Sequence, residues 1–571
     1  MNRLLKYLTD YKKECILAPL FKMLEAIFEL FVPLVMAAII DKGIANGDVP
    51  YIGKMCSLLL LLAAVGLISS VTAQYFSAKA ATGFAAKLRR AVFKHIGELS
   101  FPELDRLGSS TLITRMTSDI NQAQAGVNMT LRLFLRSPFI VFGAMIMAFT
   151  VNAKEAVIFV LTIPALSVIV FGIMVITMPI YKKVQSMLDT VLNRTSENLE
   201  GARVIRAFCM EEDEIARFRE ENGLLANTQR LVGRISGLMN PLTFIVVNAA
   251  TIILLYTGAL KVDSSVLTQG QLVALVNYMS QILVELVKLA NLIVTISKAL
   301  ACANRVADVL DVEVSIKDGT NALPDCPPGT PRIEFSHVGL RYQEGKEALS
   351  DITFTAEAGQ TIGIIGGTGS GKSSIVNLIP RFYDASDGQV LINGMNVKEC
   401  KSSEIRSIIG VVPQKAVLFK GSVEDNLRWG NENATESELI EALKTAQAYD
   451  FVFEKPEGLK YRVNEGGKNL SGGQRQRLTI ARALVRKPEI LIMDDSSSAL
   501  DFATDAKLRK AIAGMDDKIT VFIVSQRAAS VMNADKILVV DNGCISGIGT
   551  HSELMKSSPV YQEIYNSQFS G

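Results

Sequence analysis

Apolar residues are distributed unevenly along the chain. Residues 1–300 contain long apolar runs, whereas residues 330–571 alternate short apolar runs with glycine-rich turns and polar helical segments. Six runs in the first part are long enough to cross a bilayer as α-helices. They lie at about residues 15–40, 55–76, 132–152, 156–179, 238–260 and 272–296. The pattern predicts a six-span membrane α-helical domain over residues 1–314, a polar linker over 315–332 and a soluble α/β domain over 333–571.

Basic residues indicate the orientation of the six spans. The connections at 77–131 and 180–237 are rich in lysine and arginine, whereas the short connections at 41–54, 152–156 and 261–271 contain few. By the positive-inside bias, both termini and the two long connections are expected on the cytoplasmic side. Both long connections are helical in character, so we expect the helices to extend well beyond the membrane.

Composition excludes some classes of protein. A net charge of +2 over 571 residues gives no basic footprint for a nucleic-acid partner. The seven cysteines are scattered and form no CxxC pair, which indicates reduced thiols used as small apolar residues. The basic N-terminal segment lacks a cleavage-site pattern and is interpreted as an amphipathic cytoplasmic lead-in.

Several charged residues fall inside the predicted spans. Lys22, Glu25 and Glu29 share one helical face in the first span, and Glu285 and Lys288 are three residues apart in the sixth. Charge is costly in lipid, so these side chains should face a wet cavity or a neighbouring helix. A polar substrate pathway and a set of ion pairs between helices both remain open.

The segment TIGIIGGTGSGKSSIVNLI (361–379) reads as a strand, a glycine-rich turn and a helix, and it contains the phosphate-binding pattern GxxxxGK[ST]. The turn would surround phosphate oxygens with backbone N–H groups at a helix N-terminus. Lys372 would reach the β- and γ-phosphates, and the Ser373 hydroxyl would bind Mg²⁺. The predicted nucleotide-binding residues are Gly366, Gly367, Thr368, Gly369, Ser370, Gly371, Lys372, Ser373 and Ser374.

Two further segments complete the predicted nucleotide chemistry. KPEILIMDD (487–495) is a buried strand that ends in Asp494, placed to hold Mg²⁺, and Asp495, placed where a catalytic base would lie. A second glycine-rich helix start has the sequence LSGGQ, formed by Leu470, Ser471, Gly472, Gly473 and Gln474. One nucleotide cannot easily use both helix starts of one domain, so we expect each to serve a different nucleotide across a dimer interface.

With these motifs in order, nearly the whole chain resembles the ATP-binding-cassette (ABC) transporters, in particular exporters with six spans fused to one P-loop nucleotide-binding domain. The resemblance implies ATP and Mg²⁺ as ligands, a lipid bilayer and a second half-transporter chain as partners, and an ATPase that drives transport. It implies that Tyr342 stacks on adenine, that Gln414 touches Mg²⁺ and that the loop containing Asp501 crosses the dimer interface. Segments 109–120 and 196–208 resemble the coupling regions of these exporters.

Two positions depart from the family pattern. Asp495 stands where the family usually has glutamate, and Gln526 stands where it usually has a histidine switch. None of the three histidines, His95, His337 and His551, occupies that place. Both losses affect the site built on this chain's own motifs, whereas LSGGQ is intact.

The departures predict the degenerate-site subunit of a heterodimeric, multidrug-type exporter, with Asp495, Gln526 and Gln414 as candidate catalytic residues. A slow homodimer, an ATP-gated regulatory protein and an importer of a metal chelate are the alternatives. Drug, lipid and peptide-like substrates remain open, and the cytoplasmic membrane of a bacterium is the expected location.

Overall fold

The computed structural model describes residues 2–342, 345, 347–496, 498–515 and 519–569, with side chains from Leu4 onward. Parts of the predicted domains (residues 1, 343, 344, 346, 497, 516–518, 570 and 571) therefore lie outside the described residues. Two compact units are present. The first comprises Met1–Gly97 and Ser109–Val312, and the second comprises Glu98–Gly108 and Glu313–Gly571.

The first unit is built of long helices. Within the described residues, six helical segments are long and apolar enough to cross a membrane: Leu4–Ile44, Val49–Glu98, Ser109–Val151, Ala153–Glu200, Glu211–Asp263 and Gln269–Leu310. The prediction of six apolar helices with long extensions is confirmed. The α-helices of this unit are Lys12–Ala38, Val49–Glu98, Ser109–Thr114, Ile120–Met129, Arg136–Val151, Ala153–Glu200, Ala202–Ala207, Glu211–Gly237, Met239–Asp263 and Gln269–Leu310. The helix Asn2–Tyr11 is of 3₁₀ type, and π-turns occur at Ile39–Ile44, Arg115–Asp119 and Thr130–Phe134.

The helix Gln269–Leu310 is central to the packing of the first unit. Its Tyr278 is fully buried and donates a hydrogen bond to the Leu30 carbonyl at 2.6 Å. Small residues allow its close approach to neighbouring helices: a Cβ built on Gly126 would lie 2.2 Å from the Ala299 Cβ. Contact through small residues of this kind lets two helix backbones approach closely.

The strands of the second unit are β1 Ile333–Arg341, β2 Glu347–Ala356, β3 Thr361–Ile365, β4 Asp387–Ile392, β5 Met395–Asn396, β6 Ile409–Val412, β7 Gly421–Ser422, β8 Arg462–Val463, β9 Ile490–Asp494, β10 Thr520–Ser525, β11 Lys536–Asp541 and β12 Cys544–Gly549. Six of them form a mainly parallel sheet in the order β12-β11-β3-β10-β9-β6. In this sheet only β12 is antiparallel to its neighbour. A second, antiparallel sheet has the order β2-β1-β4-β5, and β7 pairs with β8.

The α-helices of the second unit surround these sheets. They are Phe101–Leu107, Lys372–Leu378, Ser402–Ser407, Val423–Arg428, Glu436–Thr445, Tyr449–Phe453, Gly472–Val485, Phe502–Ala513, Ala528–Val531, His551–Ser557 and Pro559–Phe569, with 3₁₀ turns at Gly458–Lys460 and Glu465–Gly467. Two apolar clusters fill the space between helices and sheets. Strand β10 is buried along its whole length, as expected for a parallel strand covered on both faces.

Strand register brings the predicted motifs to one edge of this sheet. β10 lies between β3 and β9, and its Ser525 pairs with Ile365 while Val524 pairs with Asp494. The glycine-rich loop follows β3, the two aspartates end or follow β9, and Gln526 follows β10. Ligands of open parallel sheets bind beyond the carboxyl ends of the strands, so the fold places a ligand site here.

The segment Glu98–Gly108 belongs to the second unit although it precedes most of the membrane helices in sequence. Its helix Phe101–Leu107 begins with a capping box formed by Ser100 and Glu103. The Phe101 ring packs on Phe382 with centroids 4.4 Å apart, and the Tyr383 hydroxyl donates to Asp105. These contacts attach a connection between two predicted spans to the α/β unit.

Candidate functional site: a phosphate-binding loop with an altered switch

Close backbone approach shapes the glycine-rich loop after β3. A Cβ on Gly366 would lie 2.0 Å from the Val540 carbonyl oxygen, so a larger residue cannot occupy this position without moving β11. Gly371 has φ of +103°, which favours glycine, and it caps the helix Lys372–Leu378 without any side-chain hydrogen bond. The first N–H groups of this helix are thus directed into the loop without a capping side chain of their own.

Lys372 and Ser373 lie at the base of the loop. The Lys372 ammonium donates to the carbonyl oxygens of Gly366 (3.0 Å) and Gly367 (2.6 Å). Burial lowers the pKa of Lys372, although the carboxylates of Asp495 and Asp494 act in the opposite direction. The Ser373 hydroxyl donates to Asp494 Oδ1 at 2.9 Å. The ammonium must leave two carbonyls to meet an anion, and the serine already donates to Asp494, the predicted Mg²⁺ ligand.

The groups around Asp494 act on its pKa in opposite directions. Burial raises its pKa, and the neighbouring charge of Asp495 adds to that effect, while the Ser373 hydrogen bond and the Lys372 charge oppose it. Burial therefore makes the ionised form of Asp494 less favourable than it is in water. A cation bound nearby would offset this cost.

Asp495 and Gln526 occupy the positions that depart from the family pattern. Asp495 has φ of +44° and its backbone N–H donates to the Val524 carbonyl at 3.0 Å. Gln414 Nε2 lies 3.5 Å from Asp495 Oδ2, and Thr368 Oγ1 lies 3.5 Å from Gln526 Oε1. At these distances both contacts are weak. Asp495 and Gln526 therefore both lie beside the loop, each with one weak side-chain contact among the described residues.

Gln568, which the sequence analysis did not single out, makes hydrogen bonds to the switch segment, that is, to residues 526–528. The Gln568 amide accepts from the Ala528 N–H at 2.8 Å and donates to the Gln526 carbonyl at 2.8 Å. These bonds connect the C-terminal helix Pro559–Phe569 to the residue at the switch position. No local motif marks Gln568, because the contact joins residues 42 positions apart in the chain.

Tyr342 forms one side of the predicted base-binding region. Its ring is 38% exposed, lies 5.0 Å from the Tyr383 ring in an edge-to-face arrangement, and its hydroxyl donates to Ser374 at 3.0 Å. Burial of the hydroxyl raises the pKa of Tyr342. An exposed aromatic face held at a fixed angle can stack on an aromatic base.

The predicted residues fall into two groups. A cavity of about 640 Å³ is lined by Tyr342, Thr368, Gly369, Gly371, Lys372, Ser373, Ser374, Gln414, Asp494, Asp495 and Gln526, among others. Gly366, Gly367 and Ser370 belong to the same loop, and Ser370 Oγ is buried without a partner among the described residues. The other group, Leu470, Ser471, Gly472, Gly473, Gln474 and Asp501, is not among the described residues that line this cavity.

The LSGGQ segment starts the helix Gly472–Val485 with its own cap. Ser471 Oγ accepts from the Gln474 N–H at 3.2 Å, and Gln474 Oε1 accepts from the Ser471 N–H at 2.9 Å. Asp501 likewise caps the helix Phe502–Ala513 by accepting from the Thr504 N–H at 2.8 Å, and these bonds lower its pKa. Ser471 and Asp501 each cap a helix of this chain. Their predicted role across a dimer interface is a separate role that has to be tested.

The residues in the cavity fit MgATP. A glycine cradle, an orphaned serine hydroxyl, a lysine held only by carbonyls and a serine–aspartate pair suit a triphosphate with a divalent cation. Among the described residues no group of three or more His, Cys, Asp or Glu side chains could hold a metal alone. Mg²⁺ would therefore take several ligands from phosphate and water, as it commonly does.

Comparisons with known proteins agree with this arrangement. Residues 15–286 match the model of the ABC transporter transmembrane region, and residues 349–498 match the ABC transporter model. An uncharacterized ABC transporter ATP-binding protein of Mycobacterium tuberculosis is 35% identical over 567 residues, covering 99% of this chain and 97% of the relative. The ATP-dependent lipid A-core flippase of Desulfotalea psychrophila is 33% identical over 482 residues, 84% of each chain.

A solved structure shows the same fold at low sequence identity. A bacterial Atm1-family ABC exporter with ATP bound superposes with a TM-score of 0.79 at 24% identity, covering 98% of this chain and 99% of that one. The predicted combination of an apolar six-helix domain and a P-loop nucleotide-binding domain is thus confirmed in one chain. The chain belongs to the ABC transporter family and carries both the transmembrane region and the ATPase domain of that family.

Proposed function

We propose that this chain is one half of a heterodimeric, ATP-driven exporter in a bacterial cytoplasmic membrane, with both termini and the nucleotide-binding domain on the cytoplasmic side. Its own nucleotide site, built on the glycine-rich loop with Lys372, Ser373 and Asp494, would bind ATP and hydrolyse it slowly. Its LSGGQ segment would complete a faster site on a partner chain. Export is supported by the relationship to a lipid flippase, and drug, lipid and peptide-like molecules are the substrate classes considered.

One observation supports a difference in activity between this chain's own nucleotide site and the site that its LSGGQ segment would complete. Asp495 and Gln526, the two departures from the family pattern, line the same cavity as Lys372 and Ser373. A loss of function at both positions therefore falls on a single nucleotide site. The LSGGQ segment keeps its family sequence and its helix cap. Such a division between one altered site and one intact signature is what a subunit with a catalytically stronger partner requires.

The chemistry of the altered site follows from its side chains. On nucleotide binding, Lys372 would exchange the Gly366 and Gly367 carbonyls for phosphate oxygens, and Ser373 would turn its oxygen toward the metal. Bound Mg²⁺ would neutralise part of the phosphate charge and so favour attack by water. The carboxylate of Asp495 would lie about 1.5 Å further from the substrate than the carboxylate of a glutamate. Because hydrolysis is sensitive to the position of the attacking water, this displacement should slow the reaction. Gln526 can donate a hydrogen bond to phosphate but cannot supply an imidazolium charge.

Coupling to the membrane helices is supported by the segment Glu98–Gly108. It packs with the α/β unit through Phe101 and Asp105, yet it is covalently continuous with the helices Val49–Glu98 and Ser109–Thr114. A movement of the nucleotide-binding domain would therefore be transmitted to the helical segments Val49–Glu98 and Ser109–Val151. Nucleotide favours the closed pair of domains to the extent that it binds that state better.

The test is the ATPase rate of the full chain, purified alone in lipid, beside the Asp495→Glu/Gln526→His double variant. Because both missing groups are restored at one site, we expect a rise of about tenfold to a hundredfold from a very low rate. The matched control adds the same residue types elsewhere, at the exposed positions Asp450→Glu and Gln389→His, which do not line the cavity. A brisk wild-type rate that Asp495→Asn abolishes would contradict the degenerate site and indicate a homodimer with Asp495 as base.

A further inference from the structure

The membrane unit contains a cavity of about 540 Å³ bordered by the helices Lys12–Ala38, Arg136–Val151 and Gln269–Leu310. This volume is within the range of cavities that hold small-molecule ligands. One wall is apolar and is formed by Val32, Pro33, Met36 and Ile140. The cavity is therefore of a size and composition that suit an amphiphile, provided that the other wall offers polar groups.

Polar residues of the opposite wall recur at helical spacing. Asn277, Gln281, Glu285 and Lys288 follow one another at intervals of four, four and three residues, which places them along one face of a helix. Gln281 Oε1 is buried and has no hydrogen-bond partner among the described residues. A buried amide oxygen without a partner is unfavourable, so a ligand donor at this wall would remove a cost that the unliganded protein carries.

Arg136 and Glu285 form an ion pair at the base of this cluster. The side chains are 9% and 4% exposed, and Arg136 Nη1 donates to Glu285 Oε1 at 2.8 Å. Glu285 also accepts from the Ser137 hydroxyl at 2.9 Å and from Lys288 at 2.8 Å. Because both oxygens of Glu285 are used, this pair is expected to hold the helices together and not to bind a ligand.

Two charges remain accessible at the rim. The Glu29 side chain is 42% exposed, and only its Oε2 is engaged by Arg136 Nη2, at 2.6 Å. The Lys288 side chain is 51% exposed and uses one of its three N–H donors on Glu285. The cavity thus presents a carboxylate and an ammonium, each with capacity for a further bond, beside an apolar wall.

The charges around the cavity cancel. The lining carboxylates Glu29 and Glu285 are balanced by Lys288, which also lines the cavity, and by Arg136, which pairs with both carboxylates from outside the lining. Lys22 and Glu25 pair with each other at 2.5 Å and do not line the cavity. A ligand with a net charge would add an uncompensated charge at membrane depth, which is costly. A ligand that carries both charges would satisfy Glu29 and Lys288 together and remain neutral as a whole.

We propose that this cavity binds a zwitterionic amphiphile, with its ammonium group on Glu29, its phosphate or carboxylate group on Lys288 and its apolar chain against Val32, Met36 and Ile140. As a statement about transport, it rests on the proposed function, because it names the class of molecule that the exporter would carry. The binding itself does not depend on hydrolysis.

The experiment measures binding of radiolabelled lyso-phosphatidylethanolamine to the full chain in maltoside micelles, whose headgroups are uncharged. Competitors of equal chain length are lyso-phosphatidylglycerol (anionic), an alkyltrimethylammonium (cationic) and a monoacylglycerol (uncharged). We expect the zwitterion to bind about tenfold more tightly than each competitor, since a charge-assisted contact is lost with each. Equal affinities, or tighter binding of a singly charged probe, would overturn the proposal.

Two variants locate the site. Glu29→Gln should remove the preference for the zwitterion over the anion, and Lys288→Gln should remove the preference over the cation. Lys298→Gln changes an exposed lysine of the same helix outside the cavity lining and should leave both preferences intact. Wild-type behaviour of both cavity variants would overturn the assignment, and the wild-type competition decides the ligand class if a variant does not fold.

Failure of this inference is distinguishable from failure of the proposed function. ATP binding at Lys372 and hydrolysis with a partner are measured on the second unit, without any headgroup probe. Intact ATP binding and slow hydrolysis together with absent headgroup selectivity would reject the ligand class alone.

Discussion

Two glycine-rich helix starts lie in the same α/β unit, and they differ in how their backbone donors are satisfied. The helix Lys372–Leu378 starts at Gly371 without a side-chain cap, and its Lys372 donates to two loop carbonyls. The helix Gly472–Val485 starts with a closed capping box between Ser471 and Gln474. The first start is open to an anion, whereas the second is already partly satisfied by its own side chains.

The difference indicates what each start needs in order to work. The open start has a lysine, a serine and a buried carboxylate nearby, so one chain supplies a nearly complete phosphate and metal site. The capped start has stable geometry but no comparable cluster in the lining of the same cavity, and its first-turn N–H groups at Gly472 and Gly473 have no intrahelical acceptor by position. It is suited to complete a site whose other components come from elsewhere.

The largest expected effect is a loss of ATP affinity when Lys372, at the open start, is replaced. Lys372→Ala removes the one ammonium in the described lining of the cavity, so ATP affinity at this chain's own site should fall by about a hundredfold or more. Equilibrium binding of labelled ATP to the full chain measures it. Lys556→Ala, at an exposed lysine far along the chain, is the matched control. Unchanged affinity in Lys372→Ala would show that the capped start also binds ATP in the isolated chain.

A smaller effect is expected from Asp494→Asn, which should change the stability of the unliganded domain and its MgATP affinity in opposite directions. Burial raises the pKa of Asp494 above its ordinary value of 3.8, so its contribution to stability is present below that value and is lost as pH rises through the folded pKa. At neutral pH the ionised carboxylate therefore destabilises the unliganded domain. Asp494→Asn should raise the Tm without nucleotide while weakening MgATP binding about tenfold.

Calorimetry at pH 7 with and without MgATP checks this prediction for Asp494. Glu454→Gln, which neutralises an exposed acid, should change neither quantity. A lower Tm for the unliganded Asp494→Asn protein would mean that the Ser373 hydrogen bond to the carboxylate outweighs the cost of burying its charge.

The smallest effect concerns the switch segment beside the open start. Gln568→Ala removes both amide bonds to Gln526 and Ala528, each contributing about 0.5–1.5 kcal/mol. In the Asp495→Glu/Gln526→His background, the ATPase rate should fall severalfold at nearly unchanged KM for ATP. Gln562, in the same helix as Gln568, donates an amide hydrogen bond to the Met555 carbonyl of the preceding helix, and Gln562→Ala serves as the control. An equal loss in both variants would assign Gln568 a role in stability alone.

Motif spacing was sufficient to predict the open start and the six apolar helices. Apolar runs longer than a bilayer and a glycine pattern that only close backbone approach explains are local signals. Strand order then brought Lys372, Asp494 and Gln526 to one edge, because ligands of open parallel sheets bind beyond the carboxyl ends of the strands.

Long-range contacts could not be predicted in the same way. Gln568 acts through a tertiary contact that no local pattern encodes. Arg136 lies near the start of a predicted span, and its place between Glu29 and Glu285 depends on how three distant helices pack. The attachment of Phe101 to Phe382 likewise joins residues far apart in sequence. In each case the chemistry of the side chain was visible but its partner was not.

The most direct test uses the complex purified through this chain from its native membrane. Its ATPase rate is compared for Asp495→Asn, which alters the open start's site, and Ser471→Ala, which alters the capped start. Ser422→Ala removes an equivalent helix cap at Val423–Arg428 and controls for the loss of capping. We predict a change of less than about twofold for Asp495→Asn and a loss of at least about tenfold for Ser471→Ala. Abolition of the rate by Asp495→Asn, with Ser471→Ala no worse than Ser422→Ala, would contradict the assignment of catalysis to a partner's site.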